Sequence, residues 1–243
     1  MKLLLYNKFL YHLQKFIERV SYIGEDSSCI LMFHKVEKAD KNIELDEYSI
    51  SVNNFEEICK SHQDKAVSIY DIAQIQKANV IFSFDDVYQN IYTNAYPILK
   101  KYNIPFVLFV TINNLDKEFY LSTEQLLEMS TDPLCVIGTH CMDHVSSRIL
   151  TKEEITWQLY MSKEILSKMI DKEIKSFAFP YGSLNAVSIR DIRLCKKIGY
   201  KICCTTLKMP ISYHTVKKAK KGKFILLPRI NMNDEYAILK NGR

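Results

Sequence analysis

Glycine and proline are scarce in this chain, with six of each among 243 residues. Such low numbers exclude collagen-like, low-complexity and linker-rich architectures. The glycines also stand apart from one another, so neither the G-x-G-x-x-G loop of dinucleotide-binding folds nor the phosphate loop G-x-x-x-x-G-K-[ST] is present. These absences exclude an enzyme that binds a dinucleotide or a nucleoside triphosphate through either of these loops. The length suits one large domain with a sizeable core.

Cysteine pairs with metal-binding or redox spacing are also absent. The seven cysteines include no C-x-x-C pair, and several lie in apolar runs, where a free thiol packs as a small hydrophobe. An odd, irregularly spaced set favours a reducing compartment. The N-terminal residues lack a signal-peptide pattern, and no apolar run reaches the roughly 18 residues of a membrane span. The sequence therefore predicts a cytoplasmic protein without a transmembrane segment.

Positive charge exceeds negative charge by only five. Much of this excess lies in one run, which we expect to be a solvated basic loop. A nucleic-acid-binding protein would spread its basic residues over a wider face, with aromatic side chains between them. We therefore expect no nucleic-acid partner. The run consists of Lys217, Lys218, Lys220, Lys221 and Lys223.

Apolar segments alternate with amphipathic ones along the chain. Continuous apolar runs predict seven buried strands, and the segments between several of them have the period of helices. Because strands buried on both faces belong to parallel sheets, this order predicts an α/β protein with a closed or nearly closed β/α barrel in a single domain. The predicted strands are 30–33, 80–84, 105–110, 134–137, 176–179, 201–204 and 224–227.

The first twenty residues have apolar side chains at alternating spacings of three and four, which predicts an amphipathic helix. We assign residues 1–24 to this helix and residues 25–243 to the barrel. The helix is expected to cover a core, and docking at a membrane surface is the alternative. Further helices are predicted at 88–101 and 186–197, and the capping patterns Ser122-Thr-Glu-Gln125 and Thr151-Lys-Glu-Glu154 predict two more helix starts.

Polar residues gather where the predicted strands end. In a parallel barrel the carboxyl ends of the strands share one rim, where function lies. Asp85 and Asp86 follow the strand at 80–84, and His34 follows the strand at 30–33. His140 and His144 follow the strand at 134–137. Two other predicted strands end in Pro180-Tyr181-Gly182 and in Pro228-Arg229. The sequence therefore predicts an active site at this rim.

Two histidines four residues apart can bind one metal ion, because a helical turn places both rings on one side. One carboxylate completes a His-His-carboxylate set, and the other can remain free as a base that takes a proton from water. Structural roles are the alternative, since aspartates can cap the helix predicted near Tyr88 and the histidines can be loop residues. Their occurrence at one rim favours a metal site.

Three motifs resemble those of the polysaccharide deacetylase family, the NodB-like domains of carbohydrate esterase family four. Phe82-Ser-Phe-Asp-Asp86 is similar to the first motif, and Gly138-Thr-His-Cys-Met-Asp-His144 is similar to the second. Phe177-Ala-Phe-Pro-Tyr-Gly182 is similar to a form of the third motif that lacks arginine. Leu31-Met-Phe-His-Lys-Val36 and Leu227-Pro-Arg-Ile230 resemble a bacterial branch that deacetylates exported or surface polysaccharides. The resemblance runs from about residue 30 to residue 232.

The resemblance implies that residues 25–243 form a distorted, NodB-like β/α barrel that removes N-acetyl groups from sugars. It also implies that Asp86, His140 and His144 hold a divalent metal, usually Zn²⁺ and sometimes Co²⁺ or Ni²⁺. Asp85 would then be the base that deprotonates the metal-bound water. The metal and the backbone N–H of Tyr181 would hold the tetrahedral oxyanion.

The chain departs from the family pattern at three positions. Val87 replaces the usual glycine, Cys141 replaces a serine or threonine, and Ala178 replaces an arginine that orients the base. We expect Arg229 to take over that arginine's role, since a nearby positive charge favours ionised Asp85. The alternative is that Arg229 pairs with an acid at the surface.

The C-terminal motif that supplies the family's protonating histidine is missing. His34 and His214 are the candidates, and we favour His34 because it follows a strand, whereas the sequence around His214 indicates a loop. Tyr88, Pro180 and Tyr181 are expected to contact the sugar, with the tyrosines as stacking surfaces.

The expected partner is an N-acetylated glycan, or a lipid- or nucleotide-linked sugar intermediate in the cytoplasm. Peripheral contact of the protein with the inner membrane face is a further expectation. Two alternatives keep the site and change the activity. The chain could cleave O-acetyl esters or a non-sugar amide, or it could be a carbohydrate-binding pseudoenzyme with impaired catalysis.

Overall fold

A computed structural model describes residues 2–21, 23–24, 26–38 and 46–232. Within these ranges all seven predicted strands are present, with ends shifted by one or two residues, and three short strands were not predicted. The strands are β1 (Cys29–Phe33), β2 (Lys35–Glu37), β3 (Ser49–Ser51), β4 (Val80–Asp85), β5 (Phe106–Val110), β6 (Cys135–Thr139), β7 (Ser176–Ala178), β8 (Ile202–Cys204), β9 (Ile225–Leu227) and β10 (Ile230–Asn231).

Eight of the strands form one parallel sheet in the order β10-β1-β4-β5-β6-β7-β8-β9, and β2 pairs with β3 separately. At the two edges, β9 pairs with β8 and β10 pairs with β1. Since only Pro228 and Arg229 separate β9 from β10, one short segment meets both edges and curls the sheet into a distorted barrel. Proline suits this position because it cannot donate to a strand ladder. The predicted fold class is confirmed.

Seven α-helices are described, and they connect or flank the strands. They are α1 (Lys2–Val20), α2 (Val52–His62), α3 (Tyr96–Lys101), α4 (Thr123–Thr131), α5 (Lys152–Ile170), α6 (Ile189–Ile198) and α7 (Tyr213–Lys220). The predicted capping boxes are present, because the Ser122 and Thr151 hydroxyls accept from the N–H of Gln125 and Glu154. The helix predicted from residue 88 includes a π-helical turn at Ile91–Ala95 before α3.

Two predictions on the C-terminal third need correction. The lysine run from Lys217 to Lys223 was expected to be a loop, but it forms the second half of α7 and the turn after it. His214 was also assigned to a loop and lies in the first turn of α7. The Ser212 hydroxyl caps this helix by accepting from the N–H of Thr215, a local signal that was visible in the sequence.

Strand alternation divides the core into an interior and an outer layer. Along β4, Ile81 belongs to the apolar cluster inside the barrel, whereas Phe82 and Phe84 pack in the layer that includes the helices. Because side chains alternate across a strand, Ser83 and Asp85 share the interior face with Ile81. The interior is therefore apolar at the amino end of β4 and polar at its carboxyl end.

The division into residues 1–24 and 25–243 stays a prediction, and residues 1, 22, 25, 39–45 and 233–243 lie outside the described part. Helix α1 buries Leu10 and leaves Phe9 and Phe16 largely exposed. No described helix is both long and apolar enough to cross a membrane. All seven cysteines are buried free thiols.

Candidate active site

The two aspartates after β4 diverge because the chain reverses between them. The Val87 N–H donates to the Asp85 carbonyl at 2.8 Å, and the residue between them, Asp86, has a φ of +63°. Such a three-residue turn with positive φ is rare and strained. Val87 itself has a φ of +55°, which is unusual for a β-branched side chain and natural for the glycine expected there. The turn directs the two carboxylates to different partners.

Asp85 is held by Arg229 inside the barrel. The guanidinium donates from both terminal nitrogens to the two carboxylate oxygens, at 2.6 and 2.7 Å, and Arg229 is fully buried. Nε also donates to the Thr205 carbonyl at 3.2 Å. Burial alone raises the pKa of Asp85, but the charge and hydrogen bonds of Arg229 outweigh it and bring that pKa below its usual range. Asp85 is therefore an ionised carboxylate.

The expectation that Arg229 reaches Asp85, rather than a surface acid, agrees with this geometry. Arg229 lies between β9 and β10, where the sheet closes, and its side chain extends toward β4. It stands behind Asp85 and is absent from the side chains that line the cleft. We therefore treat it as a positioning residue and not as a catalytic one.

The second aspartate faces the two histidines of the predicted pair. Oδ1 of Asp86 lies 3.7 Å from Nε2 of His140 and 3.6 Å from Nε2 of His144. Nδ1 of His140 is 2.8 Å from the Ala178 carbonyl, so Nδ1 carries the proton and donates it to that oxygen. Burial lowers the pKa of His140, although Asp85 and Asp86 partly oppose the shift. The imidazole is therefore neutral, with a lone pair on Nε2.

These three side chains fit a divalent metal ion. Among the described residues, Asp86, His140 and His144 form the one group of three whose ligand atoms lie within 4.8 Å of one another. Oδ1 of Asp86 is buried and has no hydrogen-bond partner. Ligand atoms around tetrahedral zinc stand about 3.4 Å apart, given bonds of about 2.1 Å. The separations to Asp86 are close to that value, and the unpartnered oxygen is explained by a ligand role.

The loop between the two histidines is held by residues that lie outside the three sequence motifs. Oε1 of Gln158, on α5, accepts from the N–H groups of Met142 and Asp143 at 2.9 and 3.0 Å. Its Nε2 and the Nδ2 of Asn113 each donate to the Asp143 carboxylate. Outer contacts of this kind orient metal ligands. The sequence offered a weak signal in Gln158, a polar side chain on the buried face of a predicted helix.

Cys141 lies between the histidines but points away from the proposed metal site. Its side chain is fully buried in the outer apolar cluster, and burial raises the pKa of the thiol well above its ordinary value. Its φ of +71° turns the chain, and its carbonyl accepts from the Ile112 N–H at 3.2 Å. Cys141 therefore contributes to the shape of the loop and supplies no ligand.

A cleft of about 530 Å³ opens over these groups at the carboxyl ends of the strands. Tyr88 and Tyr181, both predicted to contact sugar, line it. Pro180 is buried and is absent from the lining, so it shapes the turn before Tyr181. Tyr48 also lines the cleft and was not predicted. It precedes β3, one of the short strands that the sequence did not indicate.

The two candidate acids lie in different places. His34 lines the cleft, its Nδ1 is buried without a hydrogen-bond partner, and its ring centroid is 5.4 Å from that of Tyr48. Burial lowers the pKa of His34, while the negative charges of Asp85 and Asp86 oppose the shift. His214 is exposed on α7 and is absent from the cleft. Of the two, only His34 is placed to meet a substrate.

A parallel β/α barrel with a polar cleft at the carboxyl ends of its strands is the architecture of an enzyme. A family model for polysaccharide deacetylases matches residues 73–203, more than half of the chain. The chain is 31% identical to the poly-β-1,6-N-acetyl-D-glucosamine N-deacetylase of Staphylococcus aureus, in an alignment covering 87% of this chain and 80% of that protein. The chain therefore belongs to the polysaccharide deacetylase family and is a carbohydrate N-deacetylase.

Solved structures agree with the fold. The deacetylase PplD of Streptococcus pyogenes, in complex with acetate, superposes with a TM-score of 0.72 and 20% identity, covering 86% of this chain and 93% of that one. IcaB from Ammonifex degensii gives a TM-score of 0.67 and 21% identity, covering 85% and 91%. At these identities the likeness shows the fold alone.

Proposed function

We propose that this protein is a metal-dependent hydrolase that removes acetyl groups from N-acetylglucosamine units of a β-1,6-linked polysaccharide or a related glycoconjugate. The observation that carries the proposal is that Asp85, Asp86, His140 and His144 line one cleft, with Arg229 paired to Asp85 behind it. The Staphylococcus aureus relative, which acts on poly-β-1,6-N-acetyl-D-glucosamine according to its name, supports the choice of substrate.

Asp86, His140 and His144 would hold the metal, for which Zn²⁺ is our first choice and Co²⁺ or Ni²⁺ the alternatives. An ion bound there supplies acidity to a water molecule and polarises the acetyl carbonyl. Asp85 accepts the proton of the attacking water, because Arg229 keeps its carboxylate ionised. His34 lies on the same cleft and donates a proton to the departing amine. The products are acetate and a free sugar amine.

The oxyanion that forms on the acetyl group needs a donor besides the metal. We assign this role to the backbone N–H of Tyr181, which has a φ of +62°. The Tyr181 carbonyl accepts from the Thr206 hydroxyl at 2.8 Å, and the Gly182 carbonyl accepts from the Thr206 N–H at 3.0 Å. A Cβ on Gly182 would lie 2.7 Å from that nitrogen, so this tight turn requires glycine.

Metal content and acetate release test the proposal together. Purified protein is expected to contain about one zinc per chain and to release acetate from N-acetylglucosamine oligomers. A chelator should abolish the release and added Zn²⁺ should restore it, because the catalytic water depends on the ion. Elemental analysis and an enzymatic acetate assay measure both. Cleavage of acetyl esters alone would indicate an esterase, and sugar binding without metal or acetate would indicate a pseudoenzyme.

The assignment of the acid has its own test. His34→Ala is expected to lower the turnover of N-acetylated oligomer by about 10²–10⁴-fold, the usual contribution of an acid–base group. His214→Ala serves as the matched control, because it removes an exposed imidazole that is not part of the cleft lining and should leave turnover near that of the unchanged enzyme. Steady-state kinetics on both variants decide the matter. The reverse pattern would reject His34.

The cytoplasmic location and the peripheral membrane contact remain predictions of this proposal. Helix α1 exposes Phe9 and Phe16 beside basic residues, which is compatible with contact at an anionic membrane surface. Fractionation of cells into cytosol and membranes would test both.

A further inference from the structure

Helix α1 is attached to the loop that carries Tyr181, although the two are distant in sequence. Oε1 of Gln14 accepts a hydrogen bond from the Leu184 N–H at 3.0 Å. The guanidinium of Arg148 donates to the Leu184 carbonyl at 2.7 Å and lies 5.7 Å from the ring centroid of Tyr6. These contacts fix the position of α1 relative to the candidate active site.

The face of α1 that meets this loop also forms part of the cleft. Gln14, Lys15 and Glu18 line the same cavity as Asp85, Asp86 and the two histidines. Gln14 and Glu18 lie four residues apart and so share one side of the helix. Nε2 of Gln14 donates to Oε1 of Glu18 at 2.8 Å, and Nζ of Lys15 lies 3.2 Å from Oε2. Local pairing orients the Glu18 carboxylate, whose side chain is only 11% exposed.

A carboxylate fixed in the wall of a cleft suits the hydroxyl groups of a sugar. Each carboxylate oxygen has two acceptor positions, so a bond to Gln14 or Lys15 leaves capacity for a further donor. Hydrogen bonds from a hydroxyl to an ionised carboxylate are stronger than those between neutral groups. A polymer presents another sugar next to the one whose acetyl group reacts, and α1 borders the cleft that holds the reacting group.

We propose that Glu18, oriented by Gln14, binds hydroxyl groups of the sugar adjacent to the one being deacetylated. Helix α1 thereby gives the enzyme a preference for oligomers over single sugars. This inference rests on the proposed function, since it assumes an N-acetylated glycan in the cleft. It adds a binding subsite formed by residues that precede the family motifs along the chain.

Dependence of the kinetics on oligomer length tests the subsite. The unchanged enzyme, Glu18→Ala and Glu18→Gln are compared on the monomer and the tetramer of β-1,6-linked N-acetylglucosamine, by acetate release. Losing a hydrogen bond to a charged group should raise KM for the tetramer about tenfold with Glu18→Ala. The increase in KM should be much larger for the tetramer than for the monomer. Glu18→Gln should raise KM for the tetramer less than Glu18→Ala does. His12→Ala is the matched control, because it alters an exposed residue of α1 outside the cleft lining.

The possible outcomes separate the two proposals. A loss that grows with oligomer length, with unchanged melting temperature and zinc content, supports the subsite. An equal loss on both substrates, or no loss on either, overturns it while the deacetylase proposal stands. Failure of the unchanged enzyme to release acetate from either substrate overturns the proposed function, and the subsite with it.

Discussion

Asp85→Asn is expected to lower turnover by about 10²–10⁴-fold while the protein keeps its metal. The substitution removes the group that accepts the proton of the attacking water. It leaves the proposed ligands Asp86, His140 and His144 in place. Kinetics and zinc analysis on the same preparation measure both properties. Asp86→Asn is the matched control, because it alters the neighbouring carboxylate and should lose metal and activity together. If Asp85→Asn loses the metal and Asp86→Asn keeps it, the two roles are reversed.

A folding defect must be separated from this catalytic loss. Arg229 is fully buried, and asparagine leaves its charge without a counter-ion, which costs about 3–5 kcal/mol. The double variant Asp85→Asn/Arg229→Met removes that charge and is expected to recover much of the stability, since replacing both partners of a buried pair is far less harmful than removing one. It should remain inactive. Recovery of turnover in the double variant would contradict the assignment of Asp85 as the base.

The sequence was sufficient for the barrel because its strands are apolar without interruption. Seven such runs predicted the strands of a parallel sheet, and the positions that follow them predicted the rim. The short strands β2, β3 and β10 were missed because each has a single apolar residue, Val36, Ile50 or Ile230, so no apolar run marks it in the sequence. Because β3 was not predicted, Tyr48, the residue before it, was not expected in the cleft lining.

Within the site, the residues brought together by strand ends could be predicted, and those that depend on packing between distant elements could not. Arg229 was expected near Asp85 because it follows a strand of the same barrel and could replace the arginine that the family resemblance implies at position 178. Gln158 reaches the histidine loop from α5, and Glu18 reaches the cleft from α1. Gln158 shows in the sequence only as a polar residue on a buried helix face, which does not name its partner. The Gln14–Glu18 pair, four residues apart on a helix, ordinarily indicates a solvated face.

Arg229→Met is expected to move the acid limb of the pH–rate profile to higher pH. In the unchanged protein, burial raises the pKa of Asp85, but the charge and hydrogen bonds of Arg229 outweigh it and lower that pKa. Without the guanidinium, burial is left largely uncompensated and the pKa of Asp85 rises. Because a general base acts only when deprotonated, activity is then lost at a higher pH during acidification. The profile of kcat/KM against pH reports this shift in the free enzyme.

Stability gives an independent measure of the same pair. The pKa of Asp85 is lower in the folded protein than its unfolded value of about 3.9. The ionised Asp85–Arg229 pair therefore stabilises the folded state above about pH 3.9, and this stabilisation is lost as the pH falls through the folded pKa. Arg229→Met should therefore cost about 3–5 kcal/mol near neutral pH and less in acid, as measured by urea unfolding. Arg190→Met is the matched control, because Arg190 pairs with Asp191 and donates to the carbonyls of Ser147 and Leu150. It should lower stability without moving the acid limb, and an unmoved acid limb in Arg229→Met would show that Asp85 is not the titrating base.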